Sequence, residues 1–180
     1  MITLTRIDTP RAWIGCLACY NAGRLTGEWY DADTADLVTP ADLHGGETEH
    51  EELWVMDHEG FLGAISGECS PDYAAEVADA LAGLRDDEAE AFAVWLSELG
   101  ADIDRLHWVD QFRDEYRGFH QSEAHYAQEW AEETSTDEDK ERMKRWPFNE
   151  IDWDRAAEEL FSGGFHTERV SGGIHVFSSR

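Results

Sequence analysis

Positive charge is what this sequence has least of: 14 Lys and Arg stand against 40 Asp and Glu in 180 residues, a formal net charge of −26. Ordinary nucleic-acid binding relies on basic side chains that displace counterions from phosphates, so that class of function is excluded, and anionic membrane surfaces are excluded for the same reason. So large a charge of one sign also repels itself, and burial or a partner must offset it. Basic proteins, metal ions or high salt remain as reasons for the acidity. Long apolar runs are missing as well. No stretch approaches the ~18 apolar residues of a membrane span, and the opening "MITLTRIDTPRAWIGC" has no apolar signal core, so a cytoplasmic location is expected. Three cysteines fit a reducing compartment.

Sequence patterns that carry chemistry are equally scarce. There is no HExxH, no GxxxxGK[ST], no GxSxG and no GxGxxG, so no catalytic residue and no enzyme activity is expected. Asp31-Ala-Asp33-Thr-Ala-Asp36 resembles the start of a calcium loop but lacks the glycine at the sixth position and the glutamate at the twelfth. Glu47-Thr-Glu-His50 is a single ExxH, whereas a di-iron site in a helical bundle needs two. Cys16-Leu-Ala-Cys19 has redox or zinc spacing. It lies in a strand-like run with no second pair downstream, and the eight histidines are scattered without ligand spacing. The pair is therefore read as buried thiols, and no metal or cofactor is expected.

What the sequence does have is core-forming material: 42% hydrophobic residues and eight Trp point to folded domains rather than an acidic coil. The pattern is α+β in three small units. Residues 1–60 read as a strand-rich α/β domain. "AWIGCLACY" and "EWYDA" read as strands joined by the turn residues "NAGRLTG", Thr39-Pro40-Ala41-Asp42 starts a short helix, and "ELWVMDHEG" returns as a third strand. Residues 61–101 read as a helical domain. One helix opens at Ser70-Pro71, and a second, capped by Asp86 or Asp87, lines up Phe92, Trp95, Leu96 and Leu99 before stopping at Gly100.

Residues 102–180 read as a second α/β domain. Asp102 or Asp104 caps a helix that Gly118 interrupts, Ser122 and Glu123 restart one through Trp130, "TSTDEDKERMKR" is a loop entering a solvated helical turn, "IDWDRAAEELF" is a helix, and "SGGFHTERVSGGIHVF" is a Gly-turned hairpin. The aromatic-rich stretch 106–130 has mostly acidic neighbours and cannot hold phosphates. Trp108, Phe112, Tyr116 and Phe119, like Tyr126 and Trp130, recur at helical spacing, which predicts core packing.

The acids are spread along the whole chain. Twelve of them meet three arginines in residues 1–60, among them Asp31, Asp33, Asp36, Glu49 and Glu51. In the helical segment nine acids meet Arg85 alone. There Asp72, Glu76 and Asp79 form a stripe about 10.5 Å long, within a factor of about two of the phosphate spacing on one DNA strand, and Asp86, Asp87 and Glu90 follow. Asp110, Asp114, Glu115, Glu123 and Glu129 fall mostly on the faces opposite the aromatics. Together these residues are the candidate partner-binding surface. An acidic module for other basic proteins, or a halophile-adapted small domain, would share the composition.

Several separated segments resemble the ArdA antirestriction family, in the family's order and over nearly the whole chain. They are "WIGCLACYNAGRLTGEW" with Tyr20, Asn21, Gly23, Gly27 and Trp29; "ELWVMDHEGF" with Asp57 and Glu59; "DQFRDEYRGFHQSEAHYAQEW" with Phe112, Tyr116, Gly118, Ser122 and Glu123; and the closing "IDWDRAAEELF" and "GGIHVF". The resemblance implies an elongated rod of three small domains in a row and a homodimer formed through the C-terminal one. It further implies a protein of mobile genetic elements, such as conjugative plasmids, that imitates DNA. Such a protein occupies the DNA groove of type I restriction-modification enzymes, on their specificity and modification subunits, and blocks restriction and often modification. At one charge per ~1.7 Å of duplex, the net charge of this chain corresponds to about 44 Å of DNA. The segment before "IDW", which the resemblance links to activity and dimer contact, is basic here, with Lys140, Arg142, Lys144 and Arg145.

Overall fold

The computed structural model describes residues 9–98 and 104–179. The chain is α+β, with helices and two small antiparallel sheets, and it divides into two compact units, Met1–Phe112 and Arg113–Arg180. Leu99, Gly100 and Asp102, to which the sequence pattern gave roles in ending and starting helices, lie outside the described residues.

In the first unit β1 (Arg11–Cys16) is the central strand, flanked by β2 (Gly27–Asp31) and β3 (Leu53–Glu59), both antiparallel to it. Ala12, Ile14 and Cys16 alternate onto the buried face, as a strand covered on that side requires. On the other face the Trp13 ring fills the space over two glycines. A Cβ on Gly15 would stand 2.6 Å from that ring, and one on Gly27 would also meet the Ile14 carbonyl at 2.5 Å. The strand is shorter than the apolar run that encodes it. "LACYN" leaves the sheet as α1 (Leu17–Asn21), because an unbroken apolar run does not by itself distinguish a buried strand from a buried helix turn.

After β2 a 3₁₀ helix (Ala32–Leu37) buries Ala32 and Ala35, and α3 (Pro71–Ala82) packs against it. The buried face of α3 is mostly alanine (Ala74, Ala75 and Ala78), which lets the two backbones come close. α2 (Pro40–His44) starts at Thr39, whose N–H and hydroxyl both donate to Asp42 Oδ2 at 2.8 and 2.6 Å, and stops at Gly45 with φ 68°. α4 (Asp86–Glu98) buries Phe92, Trp95 and Leu96. Phe92 and Trp95 meet Phe112 with ring centroids 5.5 and 5.9 Å apart, and Trp108 meets Tyr73 at 5.7 Å. The first two aromatics of the series 108–119 are thus core residues.

The other two are not on a helix. α5 (Trp108–Glu115), which follows a 3₁₀ turn at Arg105–His107 capped by Asp104, ends before Tyr116, and β4 (Tyr116–His120) begins there. Gly118 has φ 105°, and the pairing of β4 slips between Tyr116 and Gly118. The glycine thus sits at a bulge inside a strand rather than merely interrupting a helix, and Phe119 is exposed.

The second unit is a three-stranded sheet ordered β4–β6–β5, with β5 (Phe165–Val170) and β6 (Gly173–Ser178) forming the expected hairpin through Gly172. α6 (Glu123–Thr134), capped by Ser122, packs on α8 (Trp153–Phe161), capped by Asp152. Tyr126, Ile174 and Val176 form the buried centre, with Trp130, Leu160, Phe161 and Phe165 packed around it. The mixed-charge segment 134–145 contains a full short helix, α7 (Asp137–Met143), where a loop and a turn were expected. Thr136 caps it, and Arg142–Asp139 and Lys144–Glu141 pairs lace its surface.

Candidate functional site

The candidate site is a field of carboxylates, and backbone periodicity decides which of them face outward. In the first unit Asp31 ends β2, Asp33 and Asp36 sit on the 3₁₀ helix, and Glu49 and Glu51 lie in the segment before β3; all five are exposed. The placement of Asp31, Asp33 and Asp36 on a strand end and a helix also departs from the loop geometry of a calcium-binding segment. Asp72, Glu76 and Asp79 line the exposed face of α3, opposite its alanines, and Asp86, Asp87 and Glu90 are exposed on α4. On α5, Asp110 and Asp114 are exposed.

Three acids of the second unit depart from the outward placement. Glu115, the last residue of α5, is only 5% exposed. Glu123 is half-buried and accepts the Thr167 hydroxyl at 2.9 Å. Glu129, also half-buried, accepts from His120 Nδ1 at 2.7 Å. These three serve the fold of their unit first. The sequence reading in turn missed Asp154 and Glu158, exposed at i, i+4 on α8, for which the spacing was available as a signal.

Several of the scarce cations are paired with nearby acids. Arg11 reaches Asp31 at 3.9 Å and Glu59 at 3.5 Å, and Arg85 reaches Asp87 and Glu88 at 3.2 and 3.4 Å. Arg105 Nη1 bridges Asp72 and Glu76 at 2.9 and 2.8 Å while its guanidinium lies over the Tyr73 ring. Hydrogen bonding from the Ser70 side chain, and then from Arg105, holds the Asp72 carboxyl below its ordinary range. The stripe on α3 is therefore partly neutralised at two of its three positions. Asp33, Asp36, Glu49, Glu51, Asp79, Asp86 and Glu90 have no ion pair among the described residues, and they carry the unbalanced part of the field. Exposed pairs of this kind contribute little to stability, so their main effect is on where the field is strong.

Metal-ligating side chains gather in two places among the described residues. Cys16, Cys19, His44 and His50 each offer a ligand atom within 4.8 Å of all the others, and so do His120, His125 and Glu129. The first group was not foreseen. Cys-x2-Cys and His-x5-His were both present in the sequence, but 24 residues separate them and only the fold brings them together. Cys69 is the remaining thiol. Burial, and then the nearby Asp72 charge, push it up to about 11, which keeps it protonated and unreactive at neutral pH.

Comparison with known proteins defines first a class. The model of an antirestriction protein family matches residues 12–174, covering the sheet of the first unit, the helical segment and nearly all of the second unit. The chain belongs to the ArdA antirestriction family. No curated protein matches it. Membership implies antirestriction activity and interaction with restriction enzymes, and the family's members are inhibitors rather than enzymes. None of the helices among the described residues is long and apolar enough to cross a membrane.

Proposed function

We propose that this protein is a DNA mimic that occupies the DNA-binding groove of type I restriction-modification enzymes and blocks restriction together with modification. The observation that carries the reading is the exposed, cation-poor carboxylate field along the 3₁₀ helix, α3 and α4, in a chain of net charge −26. Carboxylates at this density reproduce the electrostatic, sequence-independent share of DNA binding, and they carry no base-edge pattern, so the decoy takes any enzyme with a suitable basic groove. The specificity and modification subunits hold the DNA in such enzymes and are the proposed contact. The same proposal includes three domains in a row (1–60, 61–101 and 102–180) in an elongated rod, a homodimer formed through the C-terminal domain, action in the cytoplasm and carriage on a mobile element such as a conjugative plasmid.

The test is enzymatic. Increasing amounts of the protein are added to a type I enzyme with unmodified substrate DNA, and both ATP-dependent cleavage and methyl transfer are followed. Both are expected to fall together, since both need the same groove. Loss of cleavage with full methylation would place the inhibitor elsewhere on the enzyme and contradict groove occupation.

A further inference from the structure

We propose that Cys16, Cys19, His44 and His50 form a structural zinc site that locks α2 and the segment after it onto the sheet of the first unit. The inference is independent of the acidic surface. Cys16 closes β1, Cys19 lies in α1, His44 ends α2 and His50 precedes β3, so four separate segments deliver two thiols and two imidazoles to one point.

The distances suit a tetrahedral ion. Zn–S bonds of about 2.3 Å and Zn–N bonds of about 2.0–2.1 Å place sulfur and nitrogen ligands about 3.6 Å apart around zinc. The sulfur-to-nitrogen separations are 3.2 Å from Cys16 to His50 Nδ1, 3.6 Å from Cys19 to the same atom, and 4.0 Å from Cys19 to His44 Nε2. These scatter on both sides of that value. The two imidazoles are nearly perpendicular, at 82° with centroids 5.0 Å apart, so they approach from different directions. Both cysteines are free and almost wholly buried, at 1% and 3% exposure. The Arg24 guanidinium reaches Cys19 Sγ at 4.0 Å, where it supports a thiolate. Two thiolates and two imidazoles select zinc among the hard and soft divalent ions, and four protein ligands leave no open position for catalysis.

The fold supplies an independent reason for the site. α2 is five residues long and buries no side chain. A helix of that length does not persist on its own in water, and the run from Gly45 to Glu52 has no regular structure. The capping box fixes where α2 begins, the Gly45 cap fixes where it ends, and the Leu17 N–H to Glu52 carbonyl bond of 3.0 Å ties the far end of the segment to the start of α1. What remains missing is an anchor for the middle. His44 and His50 provide one if both bind a metal held by Cys16 and Cys19.

The experiment is metal analysis of the full chain, purified under reducing conditions and incubated with zinc before desalting. About one zinc per chain is expected in the wild type and in Cys69→Ser, and little in Cys16→Ser, Cys19→Ser or His50→Ala. Cobalt added to the metal-free wild type should give the intense visible bands of a tetrahedral ion with thiolate charge transfer. This readout does not depend on whether any variant folds. His44→Cys, which keeps a ligand in place, should retain the metal. A reduced wild-type chain that binds no zinc and gives no tetrahedral cobalt spectrum overturns the proposal, and so does equal loss of metal in Cys69→Ser and Cys16→Ser.

Discussion

Trp95→Ala is expected to cost the first unit about 3–5 kcal/mol of stability, the usual range for removing a fully buried tryptophan. Trp95 has no exposed surface and packs between Phe92 and Phe112, with ring centroids 5.8 and 5.9 Å away. The neighbours are rings held on α4 and α5, which cannot collapse into the space without moving those helices. Domains of this size have only about 5–15 kcal/mol in total, so the variant should unfold at a much lower urea concentration. Trp146, 80% exposed, is the control, and its replacement by alanine should change stability by less than about 0.5 kcal/mol. Equal midpoints for the two variants in urea unfolding followed by circular dichroism would contradict the assigned core.

The second large effect is collective. Neutralising Asp33, Asp36, Glu49, Glu51, Asp79, Asp86 and Glu90 together, as Asn or Gln, is expected to weaken binding to the restriction enzyme about 100-fold at moderate salt. The reasoning is that each exposed charge, acting through a screened field, is worth about twofold, and seven such factors compound. The same residues changed one at a time should be nearly silent. Asp72 and Glu76 are poor choices for this test because Arg105 already balances them. Removal of Arg105 itself should strengthen binding slightly, in line with one added negative charge. The substitutions are isosteric and lie on exposed faces, so the circular dichroism spectrum should be unchanged. A single neutralisation that abolished binding would point to a discrete contact instead of a mimicked field.

Most of the architecture was readable from local pattern. Thr39-Pro40-Ala41-Asp42, Ser70-Pro71 and Ser122-Glu123 start helices where capping chemistry says they should, and the Gly-rich closing segment makes its hairpin. The failures came where long-range packing overrides local spacing. Tyr116 and Phe119 follow Trp108 and Phe112 at helical intervals, yet pairing with β6 and the left-handed conformation of Gly118 draw them into a strand. Except at Glu115, Glu123 and Glu129, the outward placement of the helical acids followed from helical periodicity. Which of them stay unbalanced did not, since Arg105 reaches back 33 residues to Asp72. The cysteine–histidine cluster was hidden for the same reason: each pair is unremarkable in its own segment, and only the approach of the α2–β3 segment to β1 joins them.

The central claim is competition for a DNA groove, and the direct measurement is displacement of labelled DNA from a type I methyltransferase by the purified protein at several salt concentrations. The account predicts displacement at low stoichiometry, with an apparent affinity that falls steeply as salt rises, because charge supplies most of the binding. Absence of displacement at every salt concentration, with the protein folded, would contradict it.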